Sequence, residues 1–307
     1  MHPTIKVKQW AAFLKQIRGY LDSQGLVEVY TEALVPVGAF EGTIDVLQVT
    51  YQAGKAELHT SPEIEMKGVL AETGLSIYQI CKCFRDDPPT GVHLREFTML
   101  EFYRVKADYQ TLIHDLKTLF NLLSGSELPF LELTMDELVE QATGIASIGS
   151  TTSEQLTSQI KERGLIALSP TDSWEDMFFK LLIEKVEPWL DPSRPVIVRD
   201  YPIALSALAK ANPDGRTVQR FEIYWLGMEL CNGCTELNDV AELKRRFAKE
   251  QANRSNQGKT PHQFPERLER AMSNGFPHCA GVAVGLDRLF WALYPEAGKS
   301  DQQRDNE

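Results

Sequence analysis

Two β-favourable segments, residues 77–84 and 96–105, are joined by a loop rich in turn-forming residues. Residues 86–91 of this loop consist of two aspartates, two prolines, a threonine and a glycine. This pattern predicts a β-hairpin. Hairpin strands pair antiparallel, and helical patterns lie before and after them. The sequence therefore favours an α+β fold with an antiparallel sheet over a doubly wound parallel sheet.

Further helices and strands are predicted on both sides of the hairpin. Apolar residues from Trp10 to Leu21 share one helical face, and Gly25 follows as a residue that ends helices. Thr134 and Glu137 have capping-box spacing, which predicts another helix start. The Ser-, Thr- and Gly-rich residues 144–158 predict a linker or a surface crossing. The remaining predicted helices cover residues 10–23, 63–72, 109–123, 174–186, 240–253 and 287–294, and the remaining strands cover 26–29, 196–200, 220–226, 228–230 and 281–286.

Composition and charge narrow the class of protein. The chain is 43% hydrophobic and 24% charged, which is typical of a globular domain and not of a disordered chain. No apolar run approaches the roughly 18 residues of a membrane span, and the N-terminus lacks the apolar core of a secretory signal, so we expect a cytoplasmic protein. Five cysteines, an odd number, argue against a disulfide framework. The net charge of −11 disfavours nucleic-acid binding without excluding local basic patches.

The hairpin carries the first group of residues that could bind a ligand or take part in catalysis. Arg85 ends the first strand and can offer a two-pronged donor to a carboxylate or a phosphate. Phe97 on the returning strand could stack on a purine. Glu101 and Tyr103 are two residues apart, so they point to the same face of the sheet. The same residues also fit a hairpin with a solvated charged tip, and spacing alone leaves both interpretations open.

Acidic residues on neighbouring strands form the second group. Glu222, Glu229, Asn232 and Glu236 would suit a magnesium ion held between carboxylates and phosphates. Surface acids in an acidic protein are the alternative interpretation.

The cysteines are a weaker signal. Cys231 and Cys234 have zinc-ligand spacing, but no second pair of ligands follows. We expect Cys81 and Cys83 to face opposite sides of their strand, so that zinc is disfavoured and buried thiols are the default.

The third group is a glycine-lined strand followed by a helix, residues 281–289. Glycine lets a ligand approach the backbone, and Arg288 lies in the first turn of the helix, where it could meet a terminal phosphate. The segment is not a Walker loop, because no Gly-Lys-Ser/Thr follows.

Together these groups resemble the motifs of class II aminoacyl-tRNA synthetases, in the correct order and over nearly the whole chain. Residues 17–29 are similar to motif 1, residues 84–97 to motif 2 and residues 281–289 to motif 3. The resemblance implies a class II synthetase-like catalytic domain over residues 1–299, with an antiparallel sheet flanked by helices and a homodimer formed through motif 1. Residues 300–307 are expected to form a polar tail.

Within class II, residues 60–63, 97–103 and 229–233 are similar to the lysine-specific branch. Lysyl-tRNA synthetases carry an N-terminal OB-fold domain for the anticodon, whereas motif 1 begins almost at once here. The chain therefore resembles the stand-alone paralogues that attach lysine or β-lysine to a lysine of elongation factor P. Ala283 adds to this resemblance, because the paralogues have alanine at a position where the tRNA enzymes typically have glycine. The resemblance implies an ATP-dependent ligase that forms an aminoacyl-adenylate, with elongation factor P as acceptor in place of tRNA.

The resemblance also implies a role for each matching residue. Arg85 and Arg288 are the expected catalytic residues: Arg85 would bind the α-phosphate and the substrate carboxylate, and Arg288 would bind the γ-phosphate. Phe97 would stack on adenine, Glu236 and Tyr103 would hold the side-chain ammonium of the substrate, and Glu63 would hold an amino group. The expected ATP contacts are Arg85, Asp86, Asp87, His93, Phe97, Glu229, Leu230, Gly285 and Arg288, with Mg²⁺ held by Glu222 and Glu229. The expected amino-acid contacts are Ser61, Pro62, Glu63, Glu101, Tyr103, Asn232, Glu236 and Ala283.

Four positions depart from the pattern of the family. Glu32 replaces a proline of motif 1, Asp87 replaces a glutamate, Leu94 replaces a polar residue and Cys234 replaces a phenylalanine of the lysine pocket. These departures keep two alternatives open: a truncated lysyl-tRNA synthetase-like enzyme with another acceptor, and a non-catalytic paralogue that binds ligands and regulates.

Overall fold

A computed structural model describes residues 3–52, 54–86 and 94–298 of the protein. Its strands are β1 (Val27–Glu28), β2 (Leu34–Val35), β3 (Gln48–Tyr51), β4 (Gly54–Leu58), β5 (Ile77–Phe84), β6 (Glu96–Val105), β7 (Leu131–Thr134), β8 (Val196–Pro202), β9 (Thr217–Trp225), β10 (Met228–Thr235) and β11 (Cys279–Gly285). Eight of them form one sheet in the order β1-β5-β6-β11-β10-β9-β8-β7. Its pairs are antiparallel except for β1–β5 and β7–β8, the parallel pairs at the two edges. Strands β2, β4 and β3 form a small second sheet.

Helices pack against the large sheet. They are α1 (Pro3–Ser23), α2 (Glu63–Thr73), α3 (Tyr109–Ser124), α4 (Met135–Thr143), α5 (Ser153–Arg163), α6 (Trp174–Leu181), α7 (Val240–Asn256), α8 (Glu266–Ser273), α9 (Leu286–Leu293) and α10 (Pro295–Gly298). Among the described residues, none of these helices combines the length and the apolar character that crossing a bilayer requires.

Three hydrophobic cores hold these elements together. The largest core lies where α1, α3 and α9 pack against the central strands, and it contains Phe13, Phe120 and Phe290. A second core joins α4, α5 and α6 to β8 and β9. The third core joins α2, α7 and α8 to the ends of the strands near Ile77 and Tyr103. Burial of apolar surface on this scale is the main force that stabilises the fold.

Local sequence signals explain several element boundaries. Strands β5 and β6 match the predicted hairpin strands at 77–84 and 96–105, and the α+β class is confirmed. Thr134 and Glu137 form the reciprocal hydrogen bonds of a capping box at the start of α4. Helix α1 ends at Ser23, and Gly25 follows with a φ of +77°, a conformation that glycine adopts readily.

Other elements differ from the predictions. Residues 144–158 were predicted as a linker, but α5 begins inside them at Ser153, because Thr152 and Gln155 form a capping box that the Ser/Thr-rich composition concealed. The small sheet of β2, β3 and β4 and the helix α8 were not predicted. Their strands are short and largely exposed, so they lack the apolar alternation that indicates a strand.

Candidate active site

One face of the large sheet carries most of the predicted site residues. Residues opposite each other on paired strands point to the same face, and so do residues two apart on one strand. Two rows result from this register. The first row, across β6, β11, β10 and β9, is Glu101, Ala283, Asn232 and Glu222, and the second row is Tyr103, Gly281, Cys234 and Arg220. The sheet therefore brings together residues that are far apart in the sequence.

Small residues of β11 form the floor between these rows. A Cβ atom on Gly281 would lie 2.6 Å from Oε1 of Glu236 and closer still to the ring of Tyr103. The absence of a side chain at Gly281 thus lets Tyr103 and Glu236 approach each other over the strand. Ala283 separates Glu101 from Asn232 with only a methyl group.

A buried lysine occupies the end of this face nearest to α2. Lys67 is 2% exposed, and its Nζ lies 2.6 Å from Oε1 of Glu63 and 2.7 Å from Oε2 of Glu236. Ser61 and Pro62 come directly before α2 and place Glu63 at the start of the helix. Although burial lowers the pKa of Lys67, the two adjacent carboxylates outweigh that effect and raise it. Glu63 and Glu236 therefore share one cation that belongs to the protein itself.

Glu101 adds a further carboxylate to the same pocket. It is 3% exposed, its Oε1 accepts a hydrogen bond of 2.5 Å from the hydroxyl of Tyr103, and its Oε2 has no hydrogen-bond partner among the described residues. Burial and the charge of Glu63 raise the pKa of Glu101. Burial also raises the pKa of Glu236 to about 7, since Lys67 offsets it only in part. Three carboxylates thus face one ammonium.

Arginines lie at the other end of the face. The guanidinium of Arg85 lies 5.2 Å from the centroid of the Phe97 ring, and its Nε is buried without a hydrogen-bond partner among the described residues. Arg288, in the first turn of α9, donates a hydrogen bond of 2.9 Å to the backbone oxygen of Glu229. Burial lowers the pKa of Arg288, and the charge of Arg85 adds to this effect. This end of the face therefore suits polyanions.

Glu229 lies between these arginines. Its side chain is exposed to the cleft, yet the surrounding protein atoms and the charge of Glu222 raise its pKa to about 7. The charges of Arg288, Arg220 and Arg85 oppose this rise. A carboxylate in such a position can lose its proton readily when a further cation arrives.

Glu222 is buried and already accepts four hydrogen bonds. Its Oε1 accepts from Arg220 at 2.5 Å and from Asn232 at 3.3 Å. Its Oε2 accepts from the hydroxyls of Tyr201 at 2.6 Å and Tyr224 at 2.5 Å. A magnesium ion needs free oxygen lone pairs, so ligation by Glu222 would require one of these donors to move.

The remaining ATP-site predictions fall at less central positions. The backbone N–H of Asp86 donates a hydrogen bond to the backbone oxygen of Asp45, and the Asp86 side chain is exposed. Leu230 is 1% exposed in the core below the sheet, so only its backbone is available to a ligand. Gly285 lies on β11 beside Leu230. Asp87 and His93 lie outside the described residues, as do residues 300–307.

Three charged residues of the site were missed by sequence reasoning. Lys67 stands four residues after Glu63, a helical spacing that could have indicated the pair. Arg220 stands two residues before Glu222 on one strand, which places both on the same face. Glu41 comes from the loop between β2 and β3 and lies near Arg220, and no local signal pointed to it.

The expectation that Cys81 and Cys83 face opposite sides of β5 is wrong. Residues two apart on a strand share a face, and the Sγ atoms of these cysteines lie 3.8 Å apart. The thiols therefore form a pair next to the site face.

Comparison with known proteins finds a family that matches nearly the whole chain. Residues 3–297 match the family of class II tRNA synthetases of the D, K and N type. The match spans all the strands of the large sheet and both arginine-bearing segments.

Individual relatives are similar along most of their length. The chain is 34% identical over 292 residues to the elongation factor P–(R)-β-lysine ligase of Photobacterium profundum, covering 92% of this chain and 90% of that protein. It is 34% identical over 294 residues to the ligase of the same name from Vibrio cholerae, with the same coverage. The ligase of that name from Mannheimia succiniciproducens is 32% identical over 289 residues, covering 92% of this chain and 88% of that protein.

Proposed function

Because the chain belongs to the class II tRNA synthetase family of the D, K and N type, we propose that it is an ATP-dependent lysine ligase. It activates lysine or β-lysine as an aminoacyl-adenylate and transfers the acyl group to a lysine side chain of elongation factor P. The observation that carries this proposal is the similarity, over most of both chains, to ligases named for (R)-β-lysine and elongation factor P. In this proposal residues 1–299 form the catalytic domain.

The charge of the pocket supports a substrate with two ammonium groups. Glu63, Glu101 and Glu236 carry three potential negative charges, and Lys67 neutralises one of them. Lysine and β-lysine each carry two ammonium groups, which would neutralise the remaining two. Buried carboxylates are costly when unpaired, so a dication is the ligand that this pocket would stabilise most. In this proposal the side-chain ammonium lies between Glu236 and Tyr103.

The arginine end of the face supports binding of ATP. Arg85 has a buried Nε without a hydrogen-bond partner among the described residues, which a phosphate or carboxylate oxygen would satisfy. Phe97 lies beside Arg85 and offers a ring face for adenine. Arg288 lies across the cleft at the start of α9 and would take the γ-phosphate.

Magnesium fits this end of the cleft through Glu229. Its carboxylate is exposed to the cleft, whereas the oxygens of Glu222 are occupied by four donors. Glu229 would hold the ion together with phosphate oxygens, and Glu222 would join it on release of a donor. A bound Mg²⁺ would neutralise charge on the phosphates.

The reaction then needs no protein nucleophile. In the first step a carboxylate oxygen of the substrate attacks the α-phosphorus, the bond to the β-phosphate bridging oxygen breaks, and pyrophosphate leaves. In the second step the acceptor amine attacks the carbonyl carbon of the adenylate, loses a proton, and AMP leaves. Arg85 would position the attacking carboxylate and stabilise charge on the α-phosphate, which are the two main contributions of a site of this kind.

We also place a homodimer interface at motif 1. Helix α1 and strand β1 lie at one edge of the molecule, and Val27 and Tyr30 there are 46% and 77% exposed. Apolar side chains grouped at an unpaired strand edge are typical of an interface between subunits.

ATP–pyrophosphate exchange tests the first step directly. With the full chain and Mg²⁺, we expect exchange that depends on L-lysine or (R)-β-lysine. Arg85→Ala and Arg288→Ala should abolish exchange, while the surface variant Arg216→Ala should keep it. Exchange that survives in both Arg85→Ala and Arg288→Ala would contradict the assigned roles.

The second step is tested by the acceptor. Incubation with ATP, the active amino acid and elongation factor P should add one acyl group to a lysine of that protein, detected by intact-mass measurement. Acid-precipitable label on tRNA would favour the lysyl-tRNA synthetase-like alternative. Binding of ATP without exchange for any amino acid would favour the regulatory alternative.

A further inference from the structure

A histidine and two cysteines meet at the border of the site face. Nε2 of His59 lies 4.0 Å from Sγ of Cys81 and 3.9 Å from Sγ of Cys83, and the two sulfurs are 3.8 Å apart. His59 is 2% exposed and Cys83 is fully buried, whereas Cys81 is half-buried. The three potential ligand atoms thus form a nearly equilateral triangle, approachable from the side of Cys81.

The triangle has the size of one face of a zinc tetrahedron. With Zn–S distances of about 2.3 Å and Zn–N distances of about 2.0 Å, tetrahedral geometry places two sulfurs roughly 3.8 Å apart and a sulfur and a nitrogen roughly 3.5 Å apart. The sulfur–sulfur distance already agrees, and each sulfur–nitrogen distance would shorten by a few tenths of an ångström.

From this geometry we propose that His59, Cys81 and Cys83 form a zinc-binding site. Two thiolates and an imidazole are the ligands that Zn²⁺ prefers, and three protein ligands leave the fourth position for water. Met99, opposite Cys81 on β6, places its Sδ 3.9 Å from Sγ of Cys83 and closes the inner side of the cluster.

The local hydrogen bonds indicate what zinc binding would change. Nε2 of His59 now contacts the backbone oxygen of Lys82 at 2.7 Å, and its Nδ1 has no hydrogen-bond partner among the described residues. Binding through Nε2 requires that the ring carry its proton on Nδ1 and give up the contact with Lys82. The thiol protons of Cys81 and Cys83 leave to solvent as the two Zn–S bonds form.

The position of the cluster determines which segments a bound ion would join. Cys81 and Cys83 lie on the strand that leads to Arg85, and His59 lies just before the segment that leads to Glu63. A hydrogen bond from the backbone N–H of Phe84 to the backbone oxygen of His59 already joins these two segments. Zinc would cross-link them and fix the spacing between the arginine end and the carboxylate end of the site. This inference does not depend on the substrate proposed above.

Metal titration of the full chain tests the site. The protein, stripped with a chelator, is titrated with Zn²⁺ against a chromophoric zinc chelator, and separately with Co²⁺, whose spectrum reports ligand type and geometry. We expect one equivalent of Zn²⁺, and a thiolate-to-cobalt charge-transfer band with tetrahedral d–d bands. Cys81→Ser, Cys83→Ser and His59→Gln should each weaken zinc binding at least tenfold, whereas Cys279→Ser, a buried cysteine outside the cluster, should not.

Alkylation of thiols provides a second measurement that does not depend on variants. Zn²⁺ should protect Cys81 of the wild-type protein from iodoacetamide, as peptide mass mapping would show, and Mg²⁺ should not. Absence of stoichiometric binding, binding unaffected by the three cluster variants, or binding of Cu⁺ in place of Zn²⁺ would each overturn the zinc site. Circular dichroism of every variant confirms that lost binding does not come from unfolding.

Discussion

The carboxylate of Glu236 pairs with a lysine of the protein and, in our proposal, also with the ammonium group of the substrate. Its Oε2 pairs with the buried Lys67, while Oε1 faces the floor formed by Gly281. Replacing Glu236 with Gln keeps the shape and removes the charge. Truncation of a buried charge pair costs about 2–5 kcal/mol, so lysine should bind roughly 30-fold more weakly or worse. ATP affinity should stay near the wild-type value, because Glu236 lies far from Arg288 on the face.

Calorimetry with each ligand separately measures this difference. Glu269→Gln is the matched control, since Glu269 pairs with Lys244 on the surface, away from the pocket. Equal loss of lysine and ATP affinity in Glu236→Gln would contradict the ammonium-binding role and indicate a general loss of structure. The thermal midpoint of each variant should be recorded beside the affinities, because Lys67 loses one of its two partners.

The raised carboxyl pKa values make substrate binding depend on pH. Glu236 has a pKa of about 7 in the absence of ligand, and the pKa of Glu101 is also raised. A dication binds the ionised carboxylates, so its binding displaces protons. Affinity should therefore be weak below pH 7 and should strengthen as pH rises through it, by up to about tenfold per pH unit for each proton released.

Titration calorimetry from pH 5.5 to 8.5, in buffers of different ionisation enthalpy, counts the protons released. The contribution of Glu236 should approach zero at the alkaline end, because its pKa is about 7 and its carboxylate is already ionised there. An affinity that is flat across this range, or that falls with rising pH, would show that these carboxylates do not hold the substrate ammonium groups.

Strand β11 is the element whose small residues create the pocket. Ala substitution at Gly281 would place a methyl group against the Tyr103 ring and 2.6 Å from Oε1 of Glu236. Such overpacking costs about 1–3 kcal/mol of unfolding free energy and would displace two proposed substrate contacts. We expect Gly281→Ala to lose lysine-dependent exchange at a temperature where it remains folded.

Lys161→Ala is the control for this substitution. Lys161 is exposed on α5, outside the site and the proposed interface, so alanine there should change the unfolding free energy by no more than about 0.5 kcal/mol. Denaturant unfolding and exchange assays on both variants separate stability from site geometry. Full activity in Gly281→Ala would show that the floor of β11 does not contact the substrate.

At the scale of elements, the sequence predicted those strands and helices that depend on local residue patterns. The strands β5 and β6 were predicted with their observed bounds, because two β-favourable segments flank a proline-rich turn, and Arg85 and Glu101 followed from them. Lys67 and Glu236 meet only because α2 packs on the sheet, which is a long-range contact that no local pattern contains. The pairing of Cys81 with Cys83 could have been predicted, because residues two apart on a strand point to the same face. The prediction placed them on opposite faces instead.

At the scale of the whole molecule, the two edges of the large sheet differ. Strand β1 forms one edge and, among the described residues, pairs only with β5; Val27 on it is 46% exposed, and Tyr30 just after it is 77% exposed. The opposite edge, near β7 and β8, has α6 and the following turn, where Ile183 is 62% exposed. Because the segment that is similar to motif 1, residues 17–29, lies at the β1 edge, we place the second copy there.

This asymmetry predicts which substitution separates the subunits. Tyr30→Asp places a charge in the proposed interface, and Ile183→Asp places the same charge at an equally apolar position near the far edge. Sedimentation equilibrium should give the wild type and Ile183→Asp twice the chain mass of 34.7 kDa, and should give Tyr30→Asp a mass near that of one chain. Buried charge at an interface costs several kcal/mol, which is enough to dissociate a micromolar dimer. A monomeric wild type, or a dimer lost in Ile183→Asp and kept in Tyr30→Asp, would remove the interface from the β1 edge and with it the role inferred for motif 1.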